Sequence, residues 1–106
     1  MPRACKRIYG YLSRRARIKG HDVDFGPDFI EELYKLQNGC CAYTGDKLSI
    51  QAGLPSTLSL DRIDSSMGYT KSNIMLVTWE VNNAKQDRSM SDFVSLCKKV
   101  VDNGKV

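Results

Sequence analysis

Apolar residues recur along this chain with two different periods, and the switches between them divide it into elements. In "RACKRIYGYLSRRARI", residues 3 to 18, Ile8, Leu12 and Ala16 recur every four positions with basic side chains on the other faces. That spacing predicts an amphipathic helix, ended near Gly20. "HDVDFGP" reads as an extended connection punctuated by Gly26 and Pro27. Pro27 suits the first turn of a second helix. Asp28, Glu31 and Glu32 lie toward its positive end, Phe29, Leu33 and Leu36 form its apolar stripe, and Gly39 stops it. "CCAYTGDKLSI" predicts a turn with a short strand, and "QAGLPS" a loop.

The period then changes to two. "TLSLDRI" predicts a strand with Leu58 and Leu60 on one face, "SSMGYTKSN" a turn, and "IMLVTW" the returning strand. "EVNNAK" opens a short helix. Ser89 or Ser91 can cap a last helix, with Phe93, Leu96, Cys97 and Val100 on one face and Gly104 closing it. The order helix, helix, turn, hairpin, short helix, helix is that of an α+β chain. Its sheet is small and antiparallel, so the flanking helices must cover it. There are no internal repeats or low-complexity tracts.

Composition narrows the class. A chain of 106 residues with 42% apolar and 26% charged residues is expected to form a single globular domain, residues 1–106, without an internal linker. Neither a membrane-spanning run nor a secretion signal is present, which points to the cytoplasm. Cys5, Cys40, Cys41 and Cys97 show no C-x-x-C spacing and are expected to be reduced thiols.

The formal charge of +4 is mild but unevenly spread: residues 1–20 carry Arg3, Lys6, Arg7, Arg14, Arg15, Arg17 and Lys19 and no acid. Such a block is either a solubilising helix surface or a face that meets a polyanion through its phosphates, without reading sequence.

Cleavage of a phosphodiester by a compact domain needs a divalent cation held by a few oxygen ligands, and hard Mg²⁺ keeps several waters besides. Asp61 near the end of the first strand and Asn82 in the first turn of the short helix, 21 positions apart, are the candidate pair. A hairpin packed on that helix would bring them together. Asn73 at the start of the second strand can brace the wide hairpin loop by bonding its backbone. Each of these residues alone is more commonly a turn-former; their combination carries the reading.

That combination resembles the HNH, or ββα-metal, nucleases, particularly short phage-encoded members related to recombination endonucleases. The matching stretches are "QNGCCAYTG" at 37–45, "LDRID" at 60–64, "GYTKSN" at 68–73 and "VNNAK" at 81–85, within an HNH-like region of residues 27–97. The resemblance implies a divalent-metal-dependent DNA endonuclease of the host cytoplasm, with nicking of one strand compatible with a single site. It would use one Mg²⁺ or Mn²⁺ per site and act on double-stranded DNA. Asp61 and Asn82 would then be metal ligands and Asn73 the loop brace. Lys71 and Lys85 would lie near the DNA backbone, with Arg3, Lys6, Arg7, Arg14, Arg15 and Arg17 as further contacts.

Two departures matter. Zinc-stapled members carry four cysteines where this chain has Cys41, Thr44, Thr78 and Val81. No structural zinc is therefore expected, and packing by Val81, Trp79 and Leu36 would replace it. The residue after Asp61, a histidine base in most members, is Arg62, which cannot accept a proton. Arg62 can instead grip the scissile phosphate or stabilise its developing charge. The proton acceptor is then Asp64, the sole histidine His21, or solvent and the phosphate acting on a metal-bound water. Two other classes stay open: a catalytically silent nucleic-acid-binding or inhibitory module on the same fold, and a structural or partner-binding domain.

Overall fold

A computed structural model of the chain describes residues 2–104. Its elements are α1 (Pro2–Ile18), α2 (Pro27–Leu36), β1 (Leu58–Arg62), β2 (Ile74–Thr78), α3 (Trp79–Lys85) and α4 (Met90–Asn103). The architecture is α+β, with one two-stranded antiparallel sheet among the described residues. β1 pairs with β2 in the register Leu58↔Thr78, Leu60↔Leu76 and Arg62↔Ile74.

The hairpin is covered by the helices that precede it. Leu58, Leu60, Ile74, Leu76 and Val77 form one core with Cys5 and Leu12 of α1, Ile30 of α2 and Phe25 of the connection between them. α1 buries Ala4, Cys5, Leu12 and Ala16 and leaves its arginines in solvent. Burial, with Glu31 nearby, pushes the Cys5 thiol above its ordinary value. All four cysteines are free thiols. Among the described residues no helix is long and apolar enough to cross a membrane.

Local chemistry explains how each helix ends. Gly20 adopts φ +74 just beyond α1, so its N–H reaches the Arg17 carbonyl and the His21 N–H the Ala16 carbonyl. This left-handed turn satisfies the last carbonyls and redirects the chain across the hairpin loop. There the Tyr69 N–H donates to the Asp22 carbonyl at 2.9 Å and the Asp24 N–H to the Tyr69 carbonyl at 3.2 Å. Gly68 permits this approach: a Cβ there would stand 3.0 Å from the Asp22 carbonyl oxygen.

Four features differ from the sequence expectations. Trp79 starts α3 instead of ending the strand, because Thr78 caps the helix, its hydroxyl accepting from the Val81 N–H at 3.2 Å. The carbonyls of Thr57 and Pro55 receive the next two N–H groups, those of Trp79 and Glu80. The stretch after α2 forms isolated bridges, Cys40↔Lys47 and Ser49↔Thr57, and no strand. Leu36 is 71% and Trp79 52% exposed, so of the three residues expected to pack in place of zinc only Val81 meets the core. Finally, Ser89 caps α4 and Gly104 closes it, yet α4 buries none of its residues. Its periodicity predicted a helix correctly and a buried face wrongly.

Candidate active site

Two periodicities meet where α3 lies on β1. Ser59 and Asp61, two residues apart, share one face of the strand; Asn82 and Lys85, three apart, share one face of the helix. The Asn82 side-chain N–H₂ donates to Ser59 Oγ at 2.7 Å and to the Leu60 carbonyl at 3.2 Å. Lys85 Nζ donates to Asp61 Oδ1 at 3.1 Å and to the Arg62 carbonyl at 3.2 Å. Asp61 and Lys85 are 3% and 0% exposed, a fully buried ion pair. Lys85, expected beside the DNA backbone, is therefore inside the protein, because its stem runs from α3 to the only carboxylate on the facing strand.

Tyr43 completes this group. Its hydroxyl donates to Asp61 Oδ2 at 2.7 Å, and burial together with the carboxylate beside it raises the phenol well above its ordinary value. Sequence reasoning missed Tyr43, which belongs to no periodic run. It missed Ser59 too, although the strand alternation that selects Asp61 also selects Ser59.

On the opposite side of β1, Arg62 Nη1 donates to the carbonyls of Ser65 at 2.9 Å and Met67 at 3.1 Å. The guanidinium carbon lies 5.1 Å from the centre of the Tyr69 ring. Arg62 Nη1 also lies 3.2 Å from His21 Nε2. Guanidinium only donates, so Nε2 can meet Arg62 as an acceptor in the tautomer that carries its proton on Nδ1. The His21 ring meets Tyr69 edge to face, with centroids 6.2 Å apart. The turn at Gly20 thus folds the chain's one histidine onto Arg62, 41 residues away. Arg62 Nε and Nη2 have no protein partner among the described residues.

Asn73 is buried within the hairpin loop. Its Oδ1 accepts from the Asp64 N–H at 2.9 Å, and its Nδ2 donates to the carbonyls of Asp64 and Gly68 at 3.0 and 2.8 Å. Asp64 shapes the loop as well. Its carboxylate accepts from the Ser66 hydroxyl and N–H, bonds that hold it below the usual carboxylate range. Asp64 is exposed, does not line the cleft described next, and is engaged in the turn through Ser66.

A cleft of about 640 Å³ gathers Asp61, Arg62 and Asn82 of β1 and α3 with Arg7, Arg14 and Arg15 of α1 and Lys19 just beyond its end. Arg7, Arg14 and Arg15 lie on one arc of α1, and Lys6 and Arg17 on another. Arg3, Lys6 and Arg17 are exposed outside the cleft. Lys71 is outside it too, its Nζ 5.6 Å from the centre of the Phe29 ring. Arg7 also spans the cleft, donating from Nη2 to the Ile50 carbonyl at 2.7 Å.

Of the positions at which zinc was considered, Val81 packs against the core, while Thr44 and Thr78 lie at the Cys41 thiol. Burial works against its thiolate, but hydrogen bonds from Thr44 and from the backbone of Tyr43 and Thr78 outweigh it and lower the thiol below its ordinary value. The N–H of Cys41 donates to Asp46 and its carbonyl accepts from Gly45, closing the turn that delivers Tyr43 to Asp61. No group of three or more His, Cys, Asp or Glu side chains suited to a metal occurs among the described residues.

With this geometry in view, comparison with known proteins becomes informative. The fold is that of an HNH endonuclease. The chain superposes on the rare-cutting HNH restriction endonuclease PacI with a TM-score of 0.68 and 25% identity, covering 92% of this chain and 75% of PacI. It is also 25% identical over 92 residues to the uncharacterized 29.0 kDa protein of the dda-modA intergenic region of Enterobacteria phage T4. That alignment spans 87% of this chain and 36% of the phage protein. No protein-family model matches.

Proposed function

We propose that this chain is a divalent-metal-dependent DNA endonuclease of HNH type in which Arg62 occupies the place of the usual base. The observation that supports it is the convergence of Asp61, Arg62 and Asn82 in one cleft facing four basic side chains, on a fold shared with an HNH endonuclease. Asp61 and Asn82 are the residues that would hold the ion. The Asn82 amide turns its N–H₂ to Ser59 and Leu60, which leaves its oxygen without a protein donor among the described residues. One carboxylate and one amide oxygen suit a hard Mg²⁺ or Mn²⁺ that retains several waters. Such an ion would supply Lewis-acid polarisation of the scissile phosphate.

The chain's own residues do the rest. Arg7, Arg14, Arg15 and Lys19 hold the phosphates of duplex DNA along α1, and the free Nε and Nη2 edge of Arg62 grips the scissile phosphate. His21 already accepts from Arg62, so it orients that guanidinium and does not take the water's proton. The proton passes to solvent or to the phosphate. One site in one chain cuts one strand, and the product is a nick.

A second reading, a silent nucleic-acid-binding module, is favoured by one observation: both Asp61 oxygens are already bonded, to Lys85 and Tyr43. A supercoiled plasmid incubated with Mg²⁺ or Mn²⁺ decides between them. Asp61→Ala would strand the buried Lys85 ammonium at a cost of about 3–5 kcal/mol, so Asn82→Ala is the cleaner variant. The nuclease converts plasmid to the open circle, and Asn82→Ala slows this on the order of 100-fold. Plasmid binding without conversion by the wild type supports the silent module.

A further inference from the structure

The segment 50–57, "IQAGLPST", is the one motif of the loop region that the proposed chemistry does not use. It is nonetheless built. Thr57 Oγ1 donates to the Gln51 carbonyl at 2.7 Å and accepts from the Leu54 N–H at 2.9 Å, while Arg7 reaches across from α1 to the Ile50 carbonyl. The Thr57 carbonyl in turn receives the Trp79 N–H at 2.7 Å. The loop is therefore tied to both walls of the cleft.

Between this loop and α3 lies a niche of about 310 Å³ lined by Gly53, Leu54, Pro55, Thr57 and Trp79. Trp79 and Thr57 also line the main cleft, so the two spaces meet at these residues. Its indole is 52% exposed although its backbone is fixed at the first position of a capped helix. The wall opposite carries Tyr11, 58% exposed, with the Arg15 guanidinium 5.6 Å from its ring centre. Exposed aromatic rings set in a cationic groove are the arrangement by which proteins stack unpaired bases while basic side chains follow the phosphates. The Thr57 hydroxyl is already engaged, so the niche offers an apolar surface on which the indole N–H of Trp79 is the one side-chain donor, too little to distinguish the four bases.

We propose that this niche receives one unstacked base of the nucleic acid, laid against Trp79, when the adjoining phosphates lie along Arg7, Arg14 and Arg15. The preferred substrate is then DNA that carries an unpaired base beside the cleft, as a bulge or a single strand, and the base is accepted irrespective of identity. This inference rests on the nucleic-acid reading of the cleft and goes beyond it by naming the substrate class.

Trp79 is the chain's single tryptophan, so its emission reports directly on the niche. The full chain in EDTA is titrated with three labelled oligonucleotides, a blunt duplex, the same duplex with one bulged base, and a single strand. Indole emission and label anisotropy are recorded together. The bulged duplex quenches Trp79 and binds about tenfold tighter than the blunt one. Trp79→Ala and Leu54→Asp abolish that preference, Trp79→Phe keeps most of it, and the salt dependence of blunt-duplex binding is unchanged in the two Trp79 variants. Equal affinity for bulged and blunt duplexes, or an unaltered preference in Trp79→Ala, overturns the niche and leaves the endonuclease reading standing. Failure to bind any of the three oligonucleotides overturns both. A shift in Trp79 emission with protein concentration alone assigns the niche to a second copy of the chain and overturns base capture.

Discussion

The two sides of β1 hold neighbouring residues by opposite means. Asp61 is fixed by register: strand alternation turns it toward α3, where Lys85 and Tyr43 bond its two oxygens in a fully buried setting. Arg62, the next residue, is fixed by docking. Its partners are a loop carbonyl at Ser65, another at Met67, and His21 from the far end of α1. The first side is ionic and dry, and removing one member strands a charge. The second is half exposed and assembled from segments that touch mainly through backbone, and it can loosen without unfolding the core. The half that would bind the ion is thus rigid, and the half that would grip the phosphate is adjustable.

The largest effect should come from breaking the dry half. Lys85→Met leaves the Asp61 carboxylate buried without its counter-charge and should lower unfolding free energy by about 3–5 kcal/mol in urea titrations. Adding Asp61→Asn should recover much of that loss; if the double variant is as unstable as the single one, the two residues are not coupled.

Gly68→Ala attacks the docked half. The new Cβ meets the Asp22 carbonyl oxygen at 3.0 Å and the Asp22 nitrogen at 3.3 Å, so one backbone must shift, for about 1–3 kcal/mol. Hydrogen exchange should speed at the Tyr69 and Asp24 amides while those of β2 stay protected. Equal loss of protection at β2 would mean that the two halves are one cooperative unit.

His21→Ala removes the acceptor that faces Arg62 and should weaken DNA cleavage about tenfold, equivalent to about 1.4 kcal/mol, through KM more than kcat. His21→Gln keeps an acceptor and should stay within a few-fold of wild type. A Gln variant as poor as the Ala one would make His21 a proton acceptor after all.

Tyr43→Phe is expected to be the mildest, about 1 kcal/mol for one hydrogen bond. Its sign depends on pH. The phenol is raised in the folded protein, so its contribution is complete below the ordinary tyrosine value of about 10 and declines as pH rises above it. Thermal melts of wild type and Tyr43→Phe should therefore converge in alkaline buffer.

The terminal helices show where sequence patterning reaches its limit. Both α1 and α4 are amphipathic in sequence, and both form. α1 buries Ala4, Cys5, Leu12 and Ala16, with Cys5 and Leu12 in the common core, whereas Phe93 of α4 is only half-buried and Leu96, Cys97 and Val100 are exposed, Val100 to 60%. Periodicity reports that a helix has an apolar face; it carries no information on what that face will meet. The same holds for Lys85, whose charge suggested phosphate and whose position on α3 directs it to Asp61.

Sequence alone determined what depends on neighbours along the chain. The helix start at Pro27, a last helix capped by Ser89 or Ser91, the hairpin with Leu58 and Leu60 inward, and the residues Asp61, Asn73 and Asn82 at its joints all follow from local periodicity and capping chemistry. The knuckle around Cys41 was legible only as a departure from a cysteine pattern. Tertiary structure decided the rest: that Tyr43 and Lys85 converge on Asp61, that His21 meets Arg62, and that Trp79 stands exposed at the mouth of a niche. Those contacts join residues 18 to 41 positions apart only after the core has closed, through hydrogen bonds and charges whose strength depends on burial that no local pattern encodes.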